Sequence, residues 1–338
     1  MIFRQFFDNV SCTYTYLIAS PEKKEAIIID SVLDNVDIYL KLLNELDLKL
    51  VKVIDTHIHA DHISGMAKLR DKTNCVTLMG DKTPADIVSM SIADGEEIKI
   101  GNIKLKALYT PGHTSESFSF LMKDRVFTGD TLLIRGTGRT DFQNGNPYDS
   151  YNSIFKILLK LPEETLVYPA HDYKGDLVST IGKEKKLNPR LQVKSPDEYA
   201  EIMNNLNLPN PKLMDIVVPK NLSLGINLNK QTINNGLDVD KFKEEIENKD
   251  NILIDLREED EIKKYGKISN CTMISFPKIE SYLSQNEKEL KNKKILFYCA
   301  VGHRSALAVQ ISKSYNYVNC FHLIGGLKNW KMKGMKTI

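Results

Sequence analysis

The chain has 338 residues, 42% hydrophobic and 27% charged, which suits about two ordinary globular domains. Its 46 basic and 44 acidic side chains leave a net charge of +2, no electrostatic footprint for nucleic acid or an anionic membrane. No apolar run approaches the roughly 18 residues of a membrane span, and the opening MIFRQFFDNVSC lacks the layout of a secretory signal, so a cytoplasmic protein is expected.

Strand and helix patterns alternate from the start. TYTYLIA and EAIIID read as strands. Val36, Tyr39, Leu40 and Leu43 follow the spacing of an amphipathic helix. LVKVIDTH reads as a buried strand, and HISGMAKLRD opens a helix. EEIKIGNIKLKALYTP predicts a hairpin that turns at Gly101-Asn102, with SFSFLM and RVFTGD as further short strands. Ile154, Ile157, Leu158 and Leu161 predict another helix, and LVYPAH another strand. Prolines at 189, 196, 209, 211 and 219 mark a compact tail to a first domain, residues 1–225. An asparagine-rich linker is expected over 226–236. A second strand–helix series, residues 237–338, runs through FKEEIENK, NILIDLRE, TMISFP, KKILFYCAVGHRS, ALAVQISK and VNCFHLIGG.

The stretch THIHADH, residues 56–62, holds three of the seven histidines. His57 and His59 lie two apart at a strand end, so both side chains emerge on one side. Asp61 and His62 follow in the turn. His113, Asp130 and His171 each sit at a later strand end beside Gly or Pro. Imidazole and carboxylate are the ligands that zinc, iron and manganese accept, so the cluster predicts a metal centre.

This set resembles the metallo-β-lactamase superfamily, which implies an αββα sandwich with the metal at one edge of two sheets. Within it, GDTLLIRGTGRTDFQNG, AHDYKGDLVSTIGKEKKLNPRL and NLNLPNPKLMDIVVP resemble the persulfide dioxygenase branch. That resemblance implies one Fe(II) per chain, held by His57, His113 and Asp130. It implies that His59, Asp61, His62 and His171 line the site without a second metal. It also places Tyr173 and Arg190 toward the substrate, where a guanidinium suits a carboxylate of glutathione. The implied substrates are glutathione persulfide and O2, and the products sulfite and glutathione. The alternative is a dizinc thioester hydrolase of the glyoxalase II kind, using all seven residues, with the second domain as a sulfur relay.

Between the strand KKILFYC and the helix SALAVQISK lies CAVGHRS, residues 299–305. Gly302 lets the backbone curl its N–H groups around the Cys299 sulfur, while the helix N-terminus and Arg304 add positive potential. This segment, with LIDLREEDEIKKYGKI and HLIGGLKNWK, resembles the rhodanese sulfurtransferases, an α/β fold with a parallel sheet. The resemblance makes Cys299 the sulfur carrier, exchanging sulfane sulfur among thiosulfate, sulfite and glutathione. Two positions depart from the family pattern: Ala300 follows Cys299 where Arg is common, and Lys267 stands where His is usual. The other cysteines, Cys12, Cys75, Cys271 and Cys320, form no CxxC pair and read as structural. The chain is thus read as α/β in both parts, with a homo-oligomer allowed.

Overall fold

The computed structural model describes residues 1–85, 88–209, 214–223 and 235–338. The chain forms two compact units, 1–73 with 77–224, and 225–338 with 74–76.

The first unit holds two six-stranded sheets. One runs in sequence order through β1 (Ile2–Asp8), β2 (Thr13–Ser20), β3 (Glu25–Ile29), β4 (Lys49–Ile54), β5 (Val76–Gly80) and β6 (Met90–Ile92). The other comprises β7 (Glu97–Ile100), β8 (Ile103–Tyr109), β9 (Phe118–Leu121), β10 (Arg125–Gly129), β11 (Leu166–Pro169) and β12 (Ser179–Thr180), ordered from β12 to β7. β7 and β8 form the expected hairpin, and Gly101 takes φ +56 at its turn.

The strand β2 shows how the layers stack. All eight of its residues are buried, so both faces are covered. Tyr16 meets Phe127 of the second sheet at 5.0 Å between ring centroids. On the opposite face Thr15 Oγ1 lies 2.9 Å from the hydroxyl of Tyr39, on the helix Val36–Glu45. Behind the second sheet, Val126 and Val167 pack against Ile154, Leu158, Ile181 and Tyr199 from helical segments. The result is the αββα sandwich. Burying each large apolar side chain in these layers contributes about 1.5–3 kcal/mol.

The helix expected through Leu161 is shorter and less regular. An α-helix, Pro147–Asn152, widens into a π turn at Ser153–Ile157 and tightens into a 3-10 turn at Leu158–Lys160. Leu161 is extended, φ −66 and ψ 156, because Pro162 follows and its ring disfavours the helical conformation before it.

The second unit is built on a parallel sheet, β13 (Gly236–Leu237), β14 (Ile252–Asp255), β15 (Thr272–Met273), β16 (Ile295–Tyr298) and β17 (Cys320–Leu323), ordered β13-β17-β16-β14-β15. Its central strand, ILFY, is wholly buried, as a strand covered on both faces should be. TMISFP yields only the two residues of β15 before a 3-10 turn at Phe276–Lys278. Of the expected linker, 226–234 lies outside the described residues. Gly236, assigned to it, already pairs with His322 in the sheet. None of the five cysteines forms a disulfide. Among the described residues no helix is long and apolar enough to cross a membrane.

Candidate metal centre and sulfur loop

Four chain segments leave the ends of the sandwich strands and meet. Asp55–His62 follows β4, His113 lies in the turn before β9, Asp130 follows β10, and His171 follows β11. One donor atom each from His57, His113 and Asp130 fall within 4.8 Å of one another. His57 Nε2 is 3.9 Å and His113 Nε2 3.5 Å from Asp130 Oδ2.

The remaining atoms of these side chains are held from behind. Thr56 Oγ1 donates to Asp30 Oδ2 at 3.0 Å, so its oxygen accepts from His57 Nδ1 at 2.9 Å. His113 Nδ1 donates to the carbonyl of Arg139 at 2.7 Å. Both rings therefore turn an Nε2 lone pair to the shared space, as metal-bound histidines do. Burial opposes charge on Asp130, but His171, charged and hydrogen-bonded to it, outweighs that and holds its carboxyl well below the usual range. Burial, with His59 beside it, pushes His57 well down and keeps its imidazole neutral. Two imidazoles and one carboxylate fit a divalent metal.

His171 has both nitrogens engaged, Nδ1 with Asp130 Oδ1 at 2.6 Å and Nε2 with Asp61 Oδ2 at 2.9 Å. Burial disfavours its charge, yet Asp130 and Asp61 outweigh that and raise its pKa well above the ordinary value. His62 Nδ1 also meets Asp61 Oδ2, at 2.9 Å. His59 and His62 lie beside these residues, the ring of His59 4.3 Å from that of His57 and 4.4 Å from that of His62. The cleft over the metal cluster is lined by His57, Asp61, His113, Asp130 and His171, but not by His59 or His62. His59 turns its Nε2 to Asp30 Oδ1, 3.2 Å away, because that buried carboxylate needs a partner. Burial alone would lower His59, but Asp30 holds it up to about 9.

The cleft measures about 880 Å³. Tyr173 is exposed at its mouth and stacks on His171, ring centroids 6.1 Å apart and nearly coplanar. Arg190 lines it too, and donates from Nη1 to the carbonyl and hydroxyl oxygens of Thr137 at 2.5 and 3.1 Å. Among the described residues no carboxylate pairs with Arg190. Arg135 and Lys174 are exposed on the same rim.

Several supporting residues carry no signal in the sequence motifs. Thr13 Oγ1 touches Asp61, His62 and His171 at 3.1, 3.3 and 3.0 Å. Asp30 anchors both Thr56 and His59. Glu116 Oε1 accepts from Ile58 N at 2.8 Å and Gln143 Nε2 donates to Ile58 O at 2.9 Å, so the residue between two histidines is pinned on both sides. The one cue was that Asp30 ends a strand beside the strand that delivers His57.

Gly138 is a sharper constraint. A side chain there would run into the Asp130 carbonyl and lie 2.7 Å from His113 Nδ1. Gly138→Ala should lose bound metal and, as an overpacked site, about 1–3 kcal/mol of stability. Metal analysis beside thermal unfolding checks both. Full metal retention would mean the loop shifts without cost.

In the second unit the loop after β16 curls as its glycine suggests. Gly302, at φ +95, directs its N–H to Cys299 Sγ at 3.1 Å. A Cβ on Gly302 would lie 2.8 Å from Gly325 N, so the left-handed turn and the close packing both need glycine. Leu327 N donates to Cys299 O at 2.8 Å and Lys328 N to Ala300 O at 3.0 Å, which fixes the loop from its far side. Arg304 is fully buried and makes two bonds to Glu261, at 2.7 and 2.6 Å. Its charge is matched there, which braces the loop, and it also interacts electrostatically with Cys299.

Residues 11–85 and 79–171 match the metallo-beta-lactamase superfamily, and residues 238–333 match the rhodanese-like domain. The mitochondrial persulfide dioxygenase ETHE1 of Homo sapiens is 43% identical over 229 residues, covering 67% of this chain and 89% of that protein. The crystal structure of ETHE1 from Myxococcus xanthus is similar with TM-score 0.65 and 50% identity, over 67% of this chain and 100% of that one. A metallo-beta-lactamase from Staphylococcus aureus subsp. aureus COL shares the fold, with TM-score 0.61 and 24% identity, over 96% of this chain and 98% of its own. By its sequence and by the metal cluster at its strand ends, the chain belongs to the persulfide dioxygenase family of the metallo-β-lactamase superfamily, and a rhodanese domain follows on the same chain.

Proposed function

We propose that the first unit oxidises glutathione persulfide with O2 and water to glutathione and sulfite, at one Fe(II) held by His57, His113 and Asp130. The reaction balances as GSSH + O2 + H2O giving GSH, sulfite and two protons. The observation that carries the reading is the convergence of those three donors while both nitrogens of His171 are spent on carboxylates. His57, His113 and Asp130 would hold the iron, which would supply the redox chemistry that joins a persulfide sulfur to O2. The protein supplies the rest. His171 fixes which oxygen of Asp130 faces the two histidines. Arg190, Arg135 and Lys174 give the cleft a basic rim for an anionic thiol such as glutathione, and Tyr173 covers its mouth.

The second unit moves sulfane sulfur through Cys299. A Cys299 thiolate attacks the outer sulfur of thiosulfate, the S–S bond breaks, and sulfite leaves. Glutathione then takes that sulfur as glutathione persulfide and restores the thiolate. The Gly302 N–H donates to the Cys299 sulfur, and Arg304 with Glu261 keeps the loop in place. Glutathione persulfide and sulfite are common to both reactions, which gives their fusion a chemical reason. Five cysteines without a disulfide suit a reducing compartment such as the cytoplasm, although the human relative is mitochondrial.

One observation favours a dizinc hydrolase instead. His59 Nδ1 and His62 Nε2 are buried with no hydrogen-bond partner among the described residues, and His59, Asp61 and His62 form a second cluster within 4.8 Å. Metal analysis of anaerobically purified protein, with O2 uptake on glutathione persulfide, separates the two. One iron per chain and persulfide-dependent uptake are expected. Two zincs with thioester hydrolysis and no uptake would sink the dioxygenase reading.

A further inference from the structure

We infer that Asn221, far along the chain on the helix Met214–Leu222, is a positioning residue that clamps the metal-binding loop and so sets Asp130. The inference rests on the one-metal reading above. Between β4 and the helix Met66–Thr73 the backbone is irregular, yet His59 and His62 are buried. Buried peptide groups outside regular structure need partners from elsewhere.

An asparagine side chain offers one carbonyl acceptor and two N–H donors, and Asn221 uses them all. Its Oδ1 accepts from Ser64 N at 2.9 Å. Its Nδ2 donates to His59 O and to His62 O, each at 2.9 Å. At 3% exposure, no solvent is at hand to replace those bonds. The two clamped carbonyls flank Asp61. Asp61 Oδ2 meets His171 Nε2, and His171 Nδ1 meets Asp130 Oδ1. Held this way, Asp130 presents Oδ2 to His57 and His113. If the loop is released, Asp61 moves, His171 loses its brace, and the carboxylate of Asp130 is free to rotate.

Two substitutions in the full-length protein test this. Asn221→Asp keeps the size but puts an acceptor where two donors were, facing two carbonyls. Asn221→Ala removes all three bonds. Iron-loaded variants should surrender iron to a chelator about 10–100-fold faster than wild type, the usual cost of losing a metal's outer support. In the metal-free protein, hydrogen exchange at the Ser64 amide should quicken as well. Both are read well below the melting temperature, with cooperative unfolding as the check that each variant is folded. If both fail that check, Asn221→Ser supplies the folded comparison, and failure of all three overturns the inference, since Asn221 is then a determinant of the fold. A folded variant that keeps iron as long as wild type also overturns it, even if its melting temperature falls. Should wild type take up zinc and no iron, the dioxygenase reading fails by itself, and zinc release judges the clamp by the same criterion. Should it take up neither metal, both fail.

Discussion

Asp130→Ala protein is expected to lose its iron and its O2 uptake on glutathione persulfide together. Asp130 is the one anionic member of the triad, and its Oδ2 faces both histidines. Outer partners of a metal typically cost about 10–100-fold in affinity or activity when removed, so loss of a direct ligand should exceed about 100-fold. The substitution also strands His171 beside a single carboxylate, Asp61. Thiosulfate–glutathione sulfur exchange should stay near wild type, because Cys299 belongs to the other compact unit. Iron content, oxygen electrode traces and sulfur exchange on one preparation give the answer. If full iron remains, the carboxylate ligand has been misassigned, and Asp61 becomes the candidate.

Cys299→Ser should have the converse effect. Serine nearly matches the shape of cysteine and can still accept from Gly302 N–H, but its hydroxyl is too weakly acidic and nucleophilic to carry sulfane sulfur. Sulfur exchange should fall to background with the fold intact. Oxygen uptake on pre-formed glutathione persulfide should persist, since that substrate needs no carrier. Oxygen uptake fed by thiosulfate plus glutathione should vanish, since making the persulfide needs Cys299. Loss of oxidation under both feeding regimes would show that sulfur reaches iron only through Cys299. If thiosulfate drives no uptake even in wild type, the cycle runs toward thiosulfate, which should then be sought as product.

The parts of this protein that could be read in advance share one property: their meaning is local. His57, His113, Asp130 and His171 each end a strand, and an apolar run that stops at a histidine shows in a few residues. Cys299 stands between a strand and a helix for the same reason. The partners that orient them are not local. Thr13 is 158 residues from His171, and Asn221 is 162 from His59. A threonine that opens one strand, or an asparagine on a late helix, looks like any other until the sandwich closes. Alternation put His59 on the same side as His57, and their rings lie 4.3 Å apart, but the carboxylate that meets its Nε2, Asp30, stands 29 residues upstream. The partner of Arg304 was not legible, because Glu261 lies 43 residues upstream in an acidic helix start that reads as solvated surface.

That buried pair has a consequence for life at low pH. Burial opposes charge on Glu261, but Arg304 outweighs it and holds the carboxyl below its ordinary value. The stability this lends is therefore complete above the unfolded carboxyl's pKa, about 4.3, and drains away as pH falls through the lower folded value. Once Glu261 takes a proton, Arg304 is left as a bare cation in the interior, and breaking such a pair typically costs about 3–5 kcal/mol. Acid should thus loosen the cradle around Cys299 by removing the charge opposite its arginine, with no change at the sulfur itself. Glu261→Gln should bring that acid-loosened behaviour to neutral pH, seen as a lower melting temperature that no longer depends on this titration. The sulfur loop is latched by a carboxylate that faces its arginine, and only strong acid, below the ordinary carboxyl range, opens it.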